Sequence, residues 1–345
     1  MIPEDIFLKI VRSAVKAPSG HNTQPWLFAK EDNGLSIIPD FSCSLQVADP
    51  EHRELIISLG CAAETAMIAA RFYGYNAELN LDLSENQGSI RIILSKNGNS
   101  EQPELFSFIN FRQTTRNLYN DRPVSDDDLI RLKQIVSESG IDVEFCIGQE
   151  EINKLVPYIF EANAIQMSNL NFKNELIQWL RFSEKEAMQK GDGLYAACIG
   201  MPSLGHAAGS FVVKNFVTAK SEEKRLLKQV CKTALIAMFT TPGNDVEYWV
   251  KTGMAFQRFA LNATKLNLSH SHLNLPCQIT EVRDKMMNDL GLTGFPQLLI
   301  RLGYSQKMHF AFRRRINDAI LKQDIEFDEN KQNQRNGNNS NRPTH

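Results

Sequence analysis

The sequence predicts an α+β fold built from two related units fused in one chain, and three observations carry that prediction. Apolar residues recur at helical spacing in some segments and at strand spacing in others, and the strand segments are short and bounded by turn formers. Two long helical segments match at a fixed offset of 193 residues, pairing Gly60 with Gly253, Ala62 with Ala255, Glu64 with Gln257 and Ala70 with Ala263. A helix and strand over 3–29 have a counterpart over 125–147, acid-rich first turn included. Each unit has too small a core to stand well alone, so the two are expected to share one.

The elements follow in order. Over 3–17, Ile6, Leu8, Ile10, Val11, Ala14, Val15 and Ala17 form an apolar stripe, with Glu4 and Asp5 placed to favour the helix dipole. Pro25–Ala29 and Leu35–Pro39 read as a strand pair around the turn Lys30-Glu31-Asp32-Asn33-Gly34. After Asp49-Pro50, residues 51–73 form a long helix whose small residues let another helix approach closely. Ile90–Leu94 is a strand and Lys96–Pro103 a polar linker. Ser125 and Asp126 to Asp128 start a helix that Gly140 stops, and Val143–Ile147 is a strand. Residues 150–190 are helical and amphipathic, up to the break at Gly191-Asp192-Gly193. The stretch Leu194–Phe216, rich in Gly, Ala and Ser, suits either a segment lying over a ligand or an ordinary long connection. Val230–Phe239 reads as a strand, about Glu247 to Leu266 as a helix, Leu298–Leu302 as a last strand, and 324–345 as a tail too polar to fold. The expected division is therefore 1–105, 106–323 and the tail 324–345.

Composition narrows the function classes. The 345 residues are 42% apolar and 23% charged, as in soluble globular proteins. A net charge of -2 gives no general attraction to nucleic acid or to an anionic membrane. The start of the chain lacks a basic and apolar leader, and no run of eighteen apolar residues occurs, so a cytoplasmic protein is expected. Six widely spaced cysteines without Cys-x-x-Cys suit buried thiols in a reducing compartment. His270, His272 and Cys277 lack a second ligand pair at a usual spacing, so no metal is expected.

Site chemistry concentrates in Lys16-Ala17-Pro18-Ser19-Gly20-His21-Asn22-Thr23-Gln24-Pro25-Trp26-Leu27-Phe28. Pro18 fixes φ, Gly20 permits positive φ and Asn22 can bond its own backbone, so this turn is built to one shape. Backbone N–H groups with the Ser19, Asn22 and Thr23 side chains can then face a planar heterocycle with acceptors on its edge, although Pro-Ser-Gly alone also fits an ordinary turn. Farther on, Arg112, Thr114 and Arg116 can present two cations and a hydroxyl to one anion, or form a solvated basic turn.

Together these residues resemble the nitroreductase family of FMN-dependent oxidoreductases. The match comprises Ala17-Pro18-Ser19-Gly20, Asn22, Gln24-Pro25-Trp26 and Phe28. The resemblance implies that Pro18, Ser19, Gly20 and Asn22 pass over the isoalloxazine ring, and that Arg112, Thr114 and Arg116 hold the phosphate and ribityl chain, Thr114 standing where Ser is usual. Pro296 to Tyr304 resembles the closing strand of the family, which implies that a basic pair from Arg313 to Arg315, taken as Arg313 and Arg315, reaches the same phosphate. Asp192-Gly193 is a candidate turn over the flavin.

Family members are homodimers with each FMN at the interface. The first half here carries the loop and the second the arginines, a pattern similar to the Acg-like subgroup, in which one chain imitates the dimer; a further homodimer is the other expectation. The activity implied is hydride transfer from NADH or NADPH through FMN to a small electron-poor acceptor such as a nitroaromatic or quinone, without an acid–base triad. The alternative is a flavin-binding or flavin-sequestering protein, lidded near 194–210, with little turnover. No nucleic-acid or membrane partner is expected.

Overall fold

The computed structural model describes residues 2–82, 89–97, 104–137 and 139–321. The tail expected at 324–345 and most of the linker expected at 96–103 lie outside the described residues.

In the first unit, α1 (Glu4–Ala14) buries Phe7, Ile10, Val11 and Ala14. Strands β1 (Trp26–Glu31) and β2 (Gly34–Pro39) form a tight hairpin in which Glu31 lies opposite Gly34. The long helix α2 (Arg53–Phe72) starts where the Asp49 carboxylate accepts the N–H groups of Glu54 at 3.1 Å and Leu55 at 2.8 Å. Strands β3 (Tyr75–Asp82) and β4 (Ser89–Lys96) complete an antiparallel sheet of order β1-β2-β4-β3.

The second unit repeats that plan with one large departure. Helix α3 (Asp126–Ser137) leads to β5 (Asp142–Ile147), but the hairpin turn that follows is replaced by a long insertion. It runs through α4 (Gly148–Ser168), α5 (Leu170–Trp179), β6 (Leu180–Arg181), α6 (Glu184–Lys190), β7 (Leu194–Tyr195), α7 (His206–Phe216) and α8 (Ala219–Cys231). Then β8 (Leu235–Thr241), α9 (Val246–Lys265), β9 (Ser269–His272), α10 (Leu275–Gln278), α11 (Thr280–Leu290) and β10 (Phe295–Gly303) close a sheet of order β5-β8-β10-β9. All its pairs are antiparallel. Strand for strand, this is the order of the first sheet, and α9 occupies the place of α2.

The two units meet through α2 and α9, which cross where glycine faces glycine. A Cβ on Gly60 would lie 2.2 Å from the Val250 carbonyl oxygen, and one on Gly253 2.0 Å from that of Ile57. Helix α1 packs on α2 as α3 packs on α9. One hydrophobic core results, joining Phe7, Trp26 and Leu59 of the first unit to Phe239, Phe256 and Phe259 of the second. Burial of each such side chain contributes roughly 1.5–3 kcal/mol. Helix α2 is the one helix among the described residues apolar and long enough to cross a membrane, and it is buried in this core.

Several expectations need correction. Val230 and Cys231 end α8, and the strand begins only at Leu235. The stretch 194–216 is not one long connection, because Leu194 and Tyr195 pair in parallel with β6 and α7 starts at His206. After β10 the chain returns to the first unit. Residues 304–321, including α12 (Ile316–Ala319), cross over so that the Leu321 N–H reaches the Phe28 carbonyl at 2.9 Å.

Candidate functional site

The connection between α1 and β1 has no equal in the second unit, where α3 reaches β5 between Ser137 and Asp142. Its backbone is left-handed at His21 (φ 45°), Asn22 (56°) and Gln24 (54°), whereas Gly20 is not. The expectation that Gly20 supplies the positive φ is therefore corrected: Gly20 borders a cavity, and the strain falls on its neighbours. Such residues cost of order 1–3 kcal/mol each and persist only where surrounding contacts hold them.

Those contacts come from two distant segments. The Asn22 amide donates to the carbonyls of Gly193 and Phe312, each at 3.0 Å, and its oxygen accepts from Arg313 at 2.6 Å. The Gln24 amide donates to the Gly191 carbonyl at 2.8 Å and accepts from the Arg314 N–H at 3.0 Å. Ser19 Oγ accepts the Gln24 N–H at 2.9 Å. Asn22 thus bonds distant segments rather than its own backbone, and its amide braces the loop. The Asp192-Gly193 turn is part of this brace, with Asp192 paired to Arg181 at 2.6 Å. Gly191, at φ +70°, lies so near the arm that a Cβ would be 2.7 Å from the Arg313 oxygen.

On its other side the loop borders two joined cavities. Pro18, Ser19, Thr114 and Arg116 line both. The first, about 150 Å³, adds Gly20, Glu54, Ser58 and the apolar walls Ile57, Phe256 and Leu298. The second, about 80 Å³, adds Asn22, Arg112, Arg313, Leu194, Tyr195 and Cys198. Eight of the nine expected site residues therefore gather here. The exception is Arg315, whose side chain is 87% exposed and paired with Asp318 at 2.9 Å. Arg314 also turns away, to Asp40 at 3.2 Å.

Charge is the main feature of this space. The guanidiniums of Arg112, Arg116 and Arg313 have no carboxylate partner among the described residues. They reach only neutral oxygens, such as Lys16 O at 3.3 Å for Arg112, Cys198 O at 3.4 Å for Arg116 and Asn22 Oδ1 for Arg313. Nε and Nη1 of Arg112 and Nε of Arg313 are buried without any partner. Burial lowers the pKa of Arg112 and Arg116 to about 10 and that of Arg313 to about 9, the last helped by Arg112. All three stay charged at neutral pH. Three cations around one small cavity, with donors unspent, form a receptor for a multiply charged anion.

Known proteins share sequence with this chain. No family model matches the chain. "Putative NAD(P)H nitroreductase Rv3131" of Mycobacterium tuberculosis is 23% identical over 305 residues, covering 86% of this chain and 84% of the relative. The chain is thus similar in sequence to proteins named as putative NAD(P)H nitroreductases. "Putative NAD(P)H nitroreductase acg" of the same organism is 22% identical over 319 residues, covering 89% and 92%. Among solved structures, the FMN-dependent nitroreductase NfnB of Mycobacterium smegmatis, in complex with NADPH, is 12% identical with a TM-score of 0.41, covering 63% of this chain and 96% of that one.

The site also has residues that the sequence alone did not single out. His21 and His272 flank Arg116 in the first cavity. Burial, and secondarily the charge of Arg116, lowers His21 to about 4 and His272 to about 3, so both imidazoles are neutral at pH 7. Glu54 accepts from the Asn274 and Gln278 amides, the latter at 2.9 Å. His21 stands inside the motif and was open to notice. His272, Asn274 and Gln278 reach the cavity through the path of β9 and α10, which no local pattern announces.

Proposed function

We propose that this chain is an FMN-dependent oxidoreductase that passes hydride from NADH or NADPH to an electron-poor acceptor such as a nitroaromatic or quinone. The observation that carries this reading is the trio Arg112, Arg116 and Arg313, with no carboxylate partner among the described residues, around a cavity that also borders Pro18 and Ser19. A flavin phosphate brings about two negative charges, and guanidiniums bind such groups through charge-assisted hydrogen bonds. The names of the relatives, NAD(P)H nitroreductases, support the nicotinamide half of the proposal.

The residues present fit the cofactor. Arg112, Arg116 and Arg313 would hold the phosphate, with the Thr114 hydroxyl beside them. Ser19, Gly20 and the backbone from Pro18 would face the polar edge of the ring, and Ile57, Phe256 and Leu298 supply apolar walls for its flat body. FMN, when bound, supplies hydride uptake and release that no side chain offers. Overall, NAD(P)H loses a hydride and the acceptor gains that hydride and a proton, so a quinone leaves as its hydroquinone. The site draws on both proposed parts of the chain, 1–105 and 106–323, so one chain would bind one FMN.

A visible spectrum tests the reading. Protein loaded with FMN should be yellow, bleach with NADH or NADPH, and recover with a quinone or nitro acceptor. Arg116→Ala should weaken FMN binding by about 1.5–3 kcal/mol, the cost of losing a charge-assisted contact. Unchanged FMN affinity would remove Arg116 from the site. Protein that binds FMN but never bleaches would favour a flavin-holding role instead.

A further inference from the structure

A third cavity, about 290 Å³, opens from the first and is the work of the insertion between β5 and β8. In the first unit the same place in the sheet is a hairpin turn between Glu31 and Gly34. His21, Arg116, His272, Asn274 and Gln278 line both this chamber and the first cavity, so they mark the passage between them. Beyond that passage the walls are apolar: Met167, Phe172, Leu176, Leu180, Val213 and Leu226, all from the insertion.

Beyond the passage, the polar side chains of the chamber already bond inside the protein. Asn163 donates to the Ala219 carbonyl at 2.9 Å, Gln166 to Gln278 at 2.8 Å and Gln229 to the Arg116 carbonyl at 3.0 Å. Arg225 is paired with Glu222 at 2.6 Å. Beyond the passage, what remains to meet a ligand is mostly hydrocarbon, in a volume just below the usual range of small-molecule sites, roughly 300–1,000 Å³.

We infer that the electron acceptor of this protein has a flat, polar, reducible head and a sizeable apolar body, the head at the His21–Arg116–His272 passage and the body in the insertion chamber. This rests on the function proposed above. The chamber is a binding device, so its contribution should appear as affinity for the apolar part of the acceptor.

The test uses 1,4-benzoquinones carrying alkyl chains from methyl to decyl, with the FMN-loaded protein and NADH. KM should fall at least tenfold along the series. Leu176→Trp, which fills the chamber, should abolish that trend for the longer chains while the Kd for FMN stays unchanged. Met201→Trp, on a coil segment bordering the same chamber, gives a second variant outside the helices. Binding of the decyl quinone is read separately, without reductant, by equilibrium dialysis. A KM independent of chain length in protein that turns over would overturn the inference and leave the proposed function standing. Binding that Leu176→Trp removes, in protein that never takes up FMN, would overturn the function and leave the chamber as an apolar-ligand site. No binding and no chain-length trend would overturn the chamber.

Discussion

Arg112, Arg116 and Arg313 set up a conflict in the free protein, since buried charge without a counter-charge costs stability. An anion resolves it. Arg112→Met should therefore raise the Tm of the ligand-free protein while reducing the stabilisation by FMN, which for wild type is expected to be about 2.7 kcal/mol at a hundredfold excess over Kd. A fall in ligand-free Tm would show that the guanidinium already has adequate partners. The neutral imidazoles give a second expectation. His21 and His272 have folded pKa values of about 4 and about 3, below the ordinary 6.5, so the unfolded chain binds more protons between those limits. Stability is fully present above pH 6.5 and is lost as pH falls through about 4 and about 3. Asp49, raised to about 6 by burial and by Glu54, acts oppositely below about pH 6, but it is one group against three, since burial also lowers His270 well below its ordinary value. Urea unfolding from pH 7 to pH 4 should show a net loss, and a flat profile would remove the imidazoles from the balance.

The Arg112-x-Thr114-x-Arg116 spacing is legible because its chemistry is local. Which of three consecutive arginines turns inward is not. Simple alternation pairs Arg313 with Arg315, but α12 begins at Ile316, and the turn into it sends Arg315 out to Asp318. Arg315→Ala should accordingly leave FMN affinity within about 0.5 kcal/mol of wild type, as for ordinary surface changes.

Among the elements, the α2–α9 crossing depends most narrowly on residue choice. Gly60→Ala puts a methyl group 2.2 Å from a backbone oxygen on the partner helix, and backbone cannot step aside as a side chain can. A loss of about 1–3 kcal/mol or more is expected from such overpacking, read as a lower denaturant midpoint at unchanged m. Stability equal to wild type would mean that the helices can separate freely. Both helices were legible from their small residues at matched positions. Strand β3 carries a period of two in Tyr75, Ala77, Leu79 and Leu81, yet its Asn and Glu residues mask the pattern. Strand β9 is Ser-His-Ser-His, with no apolar signal at all. It is held by pairing to β10 and by Phe256, whose ring centre lies 4.9 Å from that of His272.

Over the whole molecule, the shared core should make unfolding a single event. Calorimetry is expected to give one transition, because neither sheet can open without exposing the faces of α2 and α9 that the other unit covers. Two separated transitions would argue for independent halves. The repeat offset made the doubled plan legible, and the complementary motifs made the meeting of loop and arginines legible. The insertion was not, since its helices look like any amphipathic helices until their position over one sheet is known. A pair of identical polypeptides must alter both of its active centres whenever it alters one. Here a tight hairpin in one half corresponds to five helices in the other, so the two halves of one chain are free to diverge: one is left plain while its counterpart is elaborated, and a change in the insertion leaves the hairpin untouched.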